Sequence, residues 1–183
     1  MLASILGTGA ALRYLGYSVN TVKTQELAAA RNLLIEAKKR SLGFESPVGN
    51  SHRVLSRSVN AAISWNDRAI IESNQENDVQ FFIPREGSSF AMDNFFITAK
   101  APHRDLAERF LNFLLDARVA AQNATYIKMA TPNQAAYDLL SPEIRNNSAI
   151  YPSPETMSRL EMLKDVKEKT TLYDEIWTQI KSK

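Results

Sequence analysis

The 183-residue sequence contains no cysteine and only two histidines. Without cysteine the chain has no disulfide, no thiolate metal ligand and no thiol nucleophile. His52 and His103 stand in loop or helix-start contexts, and neither has a ligand partner three or four residues further on. Because a metal site needs several converging ligands, the sequence predicts neither a bound metal nor a cofactor.

Long hydrophobic runs and strong charge of one sign are also missing. No segment approaches the roughly 18 consecutive apolar residues of a spanning helix. Lysine and arginine number 22 against 20 acidic residues, and the longest basic run is Lys38, Lys39 and Arg40. Without a basic stripe and interleaved aromatics, nucleic-acid binding is not expected. The first 18 residues lack a basic start and a cleavage site, so they do not read as a signal peptide.

Catalytic motifs are absent as well. No serine lies in a G-x-S-x-G elbow, and the "GTGA" at 7–10 lacks the third glycine of a phosphate loop. We interpret this glycine pair as a close-packing site on a helix. A well-patterned chain without a reactive group is more typical of a binding protein than of an enzyme.

Apolar periodicity indicates an α/β fold with an at least partly parallel sheet. Helices are predicted at 3–16, 24–40, 67–73, 105–115, 116–124, 134–140 and 172–180, and a further short helix is predicted to begin at Arg53. Strands are predicted at 61–65, 79–84 and about 88–97. Thr24 is the predicted N-cap of the second helix, and 46–51 is predicted as a loop. Leu106, Phe110, Phe113 and Leu114 form the predicted buried face of the helix that begins after Pro102.

Two residues stand out as candidates for ligand binding. Trp65 ends the apolar run "AAISW", at the carboxyl end of a predicted strand, where open α/β sheets bind ligands. Asp93 is a lone carboxylate between apolar residues. Tryptophan rings and carboxylates both attract organic cations. The alternative is that Trp65 is a core residue and that Asp93 caps a neighbouring segment.

A set of ordered motifs resembles the periplasmic polyamine-binding family, the substrate-binding receptors of spermidine/putrescine ABC transporters. The matching stretches are "ALRYLGYSVNT", "ISWND", "FFIPREGSSFAMDNFFI", "AERFLNFLLDARVAAQNATYI", "ATPNQAA", "LLSPEI" and "IYPSPET". They follow the family order over essentially the whole chain. Each is weak alone, but the set is specific.

The resemblance implies an incomplete type II periplasmic-binding-protein fold. Family members have two lobes and about twice this length, and this chain is similar to their C-terminal half. By analogy, residues 1–82 and 138–183 belong to the second lobe, while 83–137 crosses the hinge and completes the first lobe. An isolated segment 83–137 would expose the face of Phe110, Phe113 and Leu114, which favours self-association or pairing with the missing N-terminal half.

The resemblance also implies roles for single residues. Trp65 matches the tryptophan that packs against the polyamine chain, and Asp93 matches a carboxylate that binds an ammonium group. Other ligand-binding positions depart from the family. Ala91 stands in place of a second tryptophan and Met129 in place of a tyrosine; Leu163 lies near an expected glutamine, and Ala3 and Leu6 replace an acidic pair.

These assignments predict a non-catalytic solute receptor of an ABC importer, located in the periplasm, for polyamines or a related small organic cation. Its expected partners are the ligand and the transporter permease. Because each desolvated ammonium group requires an anionic or strongly polar partner, the missing acidic residues favour a smaller or less charged amine than spermidine. The alternative function is an interaction or scaffold module that has lost solute binding.

Overall fold

The computed structural model describes residues 2–73 and 79–183, with only the backbone described at 2–5, 72 and 73. Helices predominate in this part of the chain. They are α1 (Leu2–Tyr14), α2 (Thr24–Lys38), α3 (Pro47–Leu55), α4 (Asn66–Ser73), α5 (Arg104–Leu115), α6 (Ala117–Ile127), α7 (Gln134–Leu139), α8 (Pro142–Arg145), α9 (Pro154–Met157) and α10 (Thr170–Ser182). The strands are β1 (Ser88–Phe90) and β2 (Leu160–Met162), and a 3₁₀ turn covers Lys167–Lys169.

The chain divides into two compact units. The first unit contains Met1–Ala91 and Pro154–Lys183, and the second contains Met92–Ser153. Each compact unit is a set of residues that contact one another within this chain. The predicted lobes are instead defined by the ligand cleft of a whole receptor, so the lobe boundaries stay a prediction.

Packing of α1, α2 and α10 forms the core of the first unit. Its buried apolar side chains are Ala11, Leu12, Leu27, Ala30, Leu34, Tyr173, Ile176, Trp177 and Ile180. A fully buried leucine or isoleucine side chain stabilises the fold by about 1.5–3 kcal/mol. Gly7 is a close-packing position, as predicted, because a Cβ there would lie 2.9 Å from a carbon of the Trp177 ring.

The second unit has a smaller core of short side chains. Ala121, Ala124 and Ala136 are buried where α6 packs against α7, and Leu140, Ile144 and Ile150 are buried beyond them. The rings of Tyr137 and Tyr151 meet edge to face, with their centroids 5.1 Å apart. The predicted buried face of α5 is wrong for this chain, since Leu106, Phe110 and Phe113 are more than half exposed.

Several predicted elements differ from the structure. The segments 61–65 and 79–84 are not strands, and the third predicted strand shortens to β1. A strand requires a hydrogen-bonded neighbour, and within the described residues only β1 and β2 pair with each other. Segment 46–51 is not a loop, because Ser46 caps α3 and Pro47 occupies its first turn. The N-cap of α2 is Lys23 rather than Thr24.

Candidate functional site

The parallel strands β1 and β2 bring two predicted ligand-binding positions together. Their register pairs Phe90 with Met162, so Ala91 and Leu163 follow directly at the same carboxyl edge. The Leu163 amide donates a 2.9 Å hydrogen bond to the Phe90 carbonyl. Ligands of open α/β sheets bind outside this edge. Neither Ala91 nor Leu163 carries a side-chain hydrogen-bonding group, so both positions offer apolar contact.

A glycine at the turn before β1 sets the close approach of the two strands. Gly87 has φ +87°, and its amide donates a 2.9 Å hydrogen bond to the Pro84 carbonyl. A Cβ at this position would lie 1.9 Å from the carbonyl oxygen of Arg159. Only glycine can adopt this backbone conformation and also leave room for that oxygen.

Arg13, in the last turn of α1, binds the backbone just before each of the two strands. Its Nη2 donates to the Glu86 carbonyl at 2.9 Å and to the Arg159 carbonyl at 3.3 Å, and its Nε donates to the Glu86 carbonyl at 3.2 Å. A planar guanidinium can serve two acceptors in this way because its donors are fixed in one plane. Arg13 therefore positions the strands whose ends carry Ala91 and Leu163.

Glu161, in the middle of β2, ties the strand to the loop after α1. Its carboxylate accepts hydrogen bonds from the Ser18 hydroxyl at 2.5 Å, the Val19 amide at 2.9 Å and Asn20 Nδ2 at 2.9 Å. Partial burial opposes its ionisation, but these bonds and the Arg13 guanidinium 3.9 Å away outweigh burial and lower its pKa below the usual 4.5.

Sequence reasoning missed both Arg13 and Glu161. Their partners lie more than 70 positions away in the sequence, and Arg13 reads as an ordinary basic residue in a last helical turn. The one local signal was Glu161 itself, a charge between Leu160 and Met162 in a short apolar stretch.

Trp65 lies in the first unit, directly before α4. It is partly buried and does not belong to the core cluster. Its carbonyl accepts a 3.1 Å hydrogen bond from the Ala69 amide, which begins the helix. The backbone of Trp65 therefore joins the irregular segment 61–65 to the first turn of α4.

Asp93 lies at the start of the second unit and is exposed. Its neighbours are exposed apolar residues, with Phe95 at 75% and Phe96 at 83%. Met92 is 58% exposed, and its carbonyl accepts a 3.0 Å hydrogen bond from Asn94 Nδ2. An exposed carboxylate among apolar side chains is a suitable contact for a ligand that combines an ammonium group with methylene groups.

Met129 follows Lys128, which caps the end of α6 in a left-handed conformation with φ 56°. It is partly buried. After it, the Thr131 amide donates a 3.1 Å hydrogen bond to the Tyr151 hydroxyl, and Asn133 caps α7. Of the two remaining departures from the family, Leu6 is partly buried in α1, and the side chain of Ala3 lies outside the described residues.

The described residues offer no metal centre and no membrane span. Nowhere in residues 2–73 and 79–183 do three or more His, Cys, Asp or Glu side chains form a group that could hold a metal ion. Among the helices of the same ranges, none has the length and apolar character needed to cross a membrane.

Comparison with known proteins gives consistent matches. Residues 3–152 match the family described as bacterial extracellular solute-binding protein. The chain is 36% identical over 172 residues to the spermidine/putrescine-binding periplasmic protein of Escherichia coli, covering 94% of this chain and 49% of that protein. It is 35% identical over 185 residues to the putrescine/cadaverine-binding protein of Pseudomonas aeruginosa, covering 94% and 51%.

A solved structure agrees with these matches. The spermidine/putrescine ABC transporter substrate-binding protein of Streptococcus pneumoniae superposes with a TM-score of 0.77 at 27% identity, covering 98% of this chain and 55% of that one. This likeness confirms the predicted periplasmic-binding-protein fold. The chain spans about half the length of the relatives that it matches.

Proposed function

Because the chain belongs to the bacterial extracellular solute-binding protein family, we propose that it forms part of a receptor that binds polyamines or a related small organic cation for an ABC importer. The observation that carries this proposal is the identity of 36% and 35% to relatives named for binding spermidine, putrescine and cadaverine. The proposed location is the periplasm, as in the name of the Escherichia coli relative, and the proposed partner is a transporter permease, since the Streptococcus pneumoniae neighbour is named for an ABC transporter. None of these comparisons supports the scaffold alternative.

Trp65 and Asp93 are the proposed ligand contacts. The indole ring would cover the methylene chain of the amine, and the carboxylate would accept hydrogen bonds from one ammonium group. A hydrogen bond to a charged group stabilises by about 1.5–3 kcal/mol, whereas an exposed ion pair stabilises by about 1 kcal/mol or less. Asp93 is exposed in this chain, so its contribution depends on how far a bound ligand excludes water.

The side chains of Ala91, Leu163 and Met129 each offer a ligand less polar contact than the family pattern implies. Ala91 and Leu163 meet at the carboxyl edge of the strands, where they can contact methylene groups but cannot hold a second ammonium group. A ligand with several charges would leave some of them without partners. We therefore expect the site to prefer a diamine or a monoamine over spermidine.

The exposed face of α5 is the proposed surface for association. Phe110 and Phe113 are 56% and 58% exposed, and no residue of this helix is buried. Such a face favours self-association or packing against a polypeptide equivalent to the half of the relatives that this chain does not match. Light scattering on the 183-residue chain tests this part of the proposal. A chain that stays strictly monomeric and also binds no complementing polypeptide would contradict it.

A fluorescence titration tests ligand binding. The sequence has two tryptophans, Trp65 at the proposed site and Trp177 buried in the core. Trp65→Phe therefore removes the fluorescence of the proposed site and leaves that of Trp177 as an internal reference. Putrescine should produce a saturable change that Trp65→Phe abolishes, and 1,4-butanediol, of the same length but uncharged, should produce none. The absence of any saturable response to putrescine, cadaverine or spermidine would contradict the proposal.

A further inference from the structure

The two residues directly before Trp65 are held against α3 by polar side chains. Asn50 Nδ2 donates a 2.8 Å hydrogen bond to the Ile63 carbonyl. The hydroxyl oxygens of Ser51 and Ser64 lie 2.6 Å apart, within hydrogen-bonding distance. All of these residues belong to the first unit. The helix therefore contacts the chain at both positions that lead into the proposed aromatic ligand contact.

The serine pair shares one backbone acceptor. Both hydroxyl oxygens lie 3.1 Å from the Pro47 carbonyl oxygen, in the first turn of α3. Two hydroxyl hydrogens serve these three contacts, so one hydroxyl donates to the other and the second donates to the carbonyl. Ser51 is 6% exposed, and Ser64 is partly buried. The pair is thus largely shielded from water, which would otherwise compete for its hydrogen bonds.

The backbone around Trp65 has few other constraints. Residues 61–63 are exposed, with Ile63 at 49%, and they lie outside both strands of the described chain. Irregular, exposed backbone keeps conformational freedom unless specific contacts remove it. After Trp65 the chain is fixed by α4, whose first turn includes the hydrogen bond from the Ala69 amide to the Trp65 carbonyl. Before Trp65 it is fixed by the contacts with α3.

A serine at position 64 is unexpected from packing alone. It is the one polar residue between Ala61 and Trp65 in an otherwise apolar run. Apolar contact is non-directional, whereas a hydrogen bond restricts both the distance and the angle between its partners. The hydroxyl pair therefore specifies the position of residue 64, and of the backbone that follows it, more narrowly than an apolar side chain would.

We propose that Asn50, Ser51 and Ser64 are positioning residues that fix the Trp65 ring for contact with an amine ligand. This inference rests on the proposed function, in which Trp65 covers the methylene chain of the ligand. The three polar residues act through the backbone of Trp65 and not by touching the ligand. A side chain that is fixed before binding loses less conformational freedom when the ligand arrives, so the affinity is higher.

Two alanine variants remove the contacts separately. In Ser64→Ala the Ser51 hydroxyl still donates to the Pro47 carbonyl, so no buried hydroxyl loses its last partner. In Asn50→Ala water can replace the lost donor, because the contact with the Ile63 carbonyl is exposed. Both variants should therefore fold.

Ser58→Ala is the matched control. The Ser58 hydroxyl forms an exposed pair with the Ser56 hydroxyl, 2.8 Å away, in the turn after α3. This variant removes a serine–serine contact in the same unit without removing a contact at residues 63 and 64.

Fluorine NMR of the full chain labelled with 5-fluorotryptophan reads the two tryptophan rings separately, without a ligand. Trp65→Phe assigns the Trp65 resonance, and the Trp177 resonance reports on the buried core. Ser64→Ala and Asn50→Ala should each shift or broaden the Trp65 resonance more than Ser58→Ala does, and leave the Trp177 resonance unchanged. An unchanged Trp65 resonance in both variants, or an equal change at both rings, would overturn the proposal.

Calorimetric titration with putrescine measures the consequence for binding. The Kd should rise about two- to tenfold in Ser64→Ala and Asn50→Ala and stay at the wild-type value in Ser58→Ala. An unchanged Kd in both positioning variants would also overturn the proposal. A wild-type chain that does not bind putrescine would contradict the proposed function instead, and the fluorine spectra, recorded without ligand, would still decide whether α3 fixes the ring.

Discussion

Replacing Gly87 with alanine should destabilise the first unit more than any ordinary glycine-to-alanine change. Two costs combine at this position. A positive φ disfavours a residue with a Cβ by about 1–2 kcal/mol. The new Cβ would also lie 1.9 Å from the Arg159 carbonyl oxygen, whereas real Cβ atoms essentially never approach within 3.0 Å. The turn before β1 must therefore move away from the start of β2 by about 1 Å.

That movement affects the clamp made by Arg13. The guanidinium bridges the Glu86 and Arg159 carbonyls, so separation of the two strands removes at least one of its hydrogen bonds. A hydrogen bond to a charged group contributes about 1.5–3 kcal/mol. Together with the backbone cost, the expected loss for Gly87→Ala is about 2.5–5 kcal/mol, a large fraction of the stability of a typical domain.

Gly16→Ala is the matched control. Gly16 has φ +77°, close to that of Gly87, but a Cβ there would meet no atom within 4 Å. This variant should lose only the backbone contribution, about 1–2 kcal/mol. The difference between the two variants then isolates the contact with Arg159.

Urea unfolding measured by the emission of Trp177 reports on the core of the first unit when Trp65 is replaced by phenylalanine. The change in midpoint at constant slope gives the difference in free energy of unfolding. The reasoning is refuted if Gly87→Ala is no more destabilising than Gly16→Ala.

The remaining predictions concern the same unit. Gly7→Ala should cost about 1–3 kcal/mol, because its Cβ would press on the Trp177 ring. Gly9→Ala meets only ordinary contacts and should be neutral or stabilise α1 by up to about 1 kcal/mol. The urea midpoint should therefore fall in Gly7→Ala and stay the same or rise in Gly9→Ala. Hydrogen bonding lowers the pKa of Glu161 in the folded state, so its contribution to stability is present above about pH 4.5 and is lost as the pH falls through the folded pKa. Glu161→Gln should flatten this part of the curve of stability against pH. An unchanged slope would contradict the assignment. Burial, and secondarily the charge of Glu161, raise the pKa of Tyr173 to about 12, so its contribution is complete below its usual pKa of 10.0 and is lost between there and about pH 12. The single hydroxyl hydrogen of Tyr173 is shared between the Val19 and Thr21 carbonyls, whose oxygens lie 2.9 and 2.7 Å from the hydroxyl oxygen. Tyr173→Phe should therefore cost about 1–3 kcal/mol and remove the alkaline loss in a thermal scan, and a variant of unchanged stability would show that this contact contributes nothing.

Elements with local signals were predicted well from the sequence. The helix α2 combines apolar spacing with Glu26 in its first turn and Lys38 in its last, and these signals act within a few residues. Asp116 caps α6 through the Arg118 and Val119 amides, which a local pattern also reveals. In contrast, only the end of α3 was predicted, as a short helix from Arg53. Its start was missed because Pro47 and Gly49 were interpreted as loop residues, although a proline after a capping serine is typical of a helix start.

Features that depend on distant partners could not be predicted in the same way. The run at 61–65 has the composition of a strand, but strand formation requires a paired neighbour that the described chain does not supply. The contacts of Glu161 join residues more than 140 positions apart. Ala91 and Leu163 were identified separately, through the resemblance to a family, and only the parallel register shows that they share one edge.

Calorimetric titration with putrescine of the wild-type chain and of Asp93→Asn tests the central claim most directly. Asp105→Asn is the charge-matched control, because Asp105 is another exposed carboxylate of the second unit. The account predicts saturable binding by the wild type and the control, and binding that is about tenfold weaker or absent in Asp93→Asn. Equal affinity in all three proteins, or no binding by the wild type, would contradict it.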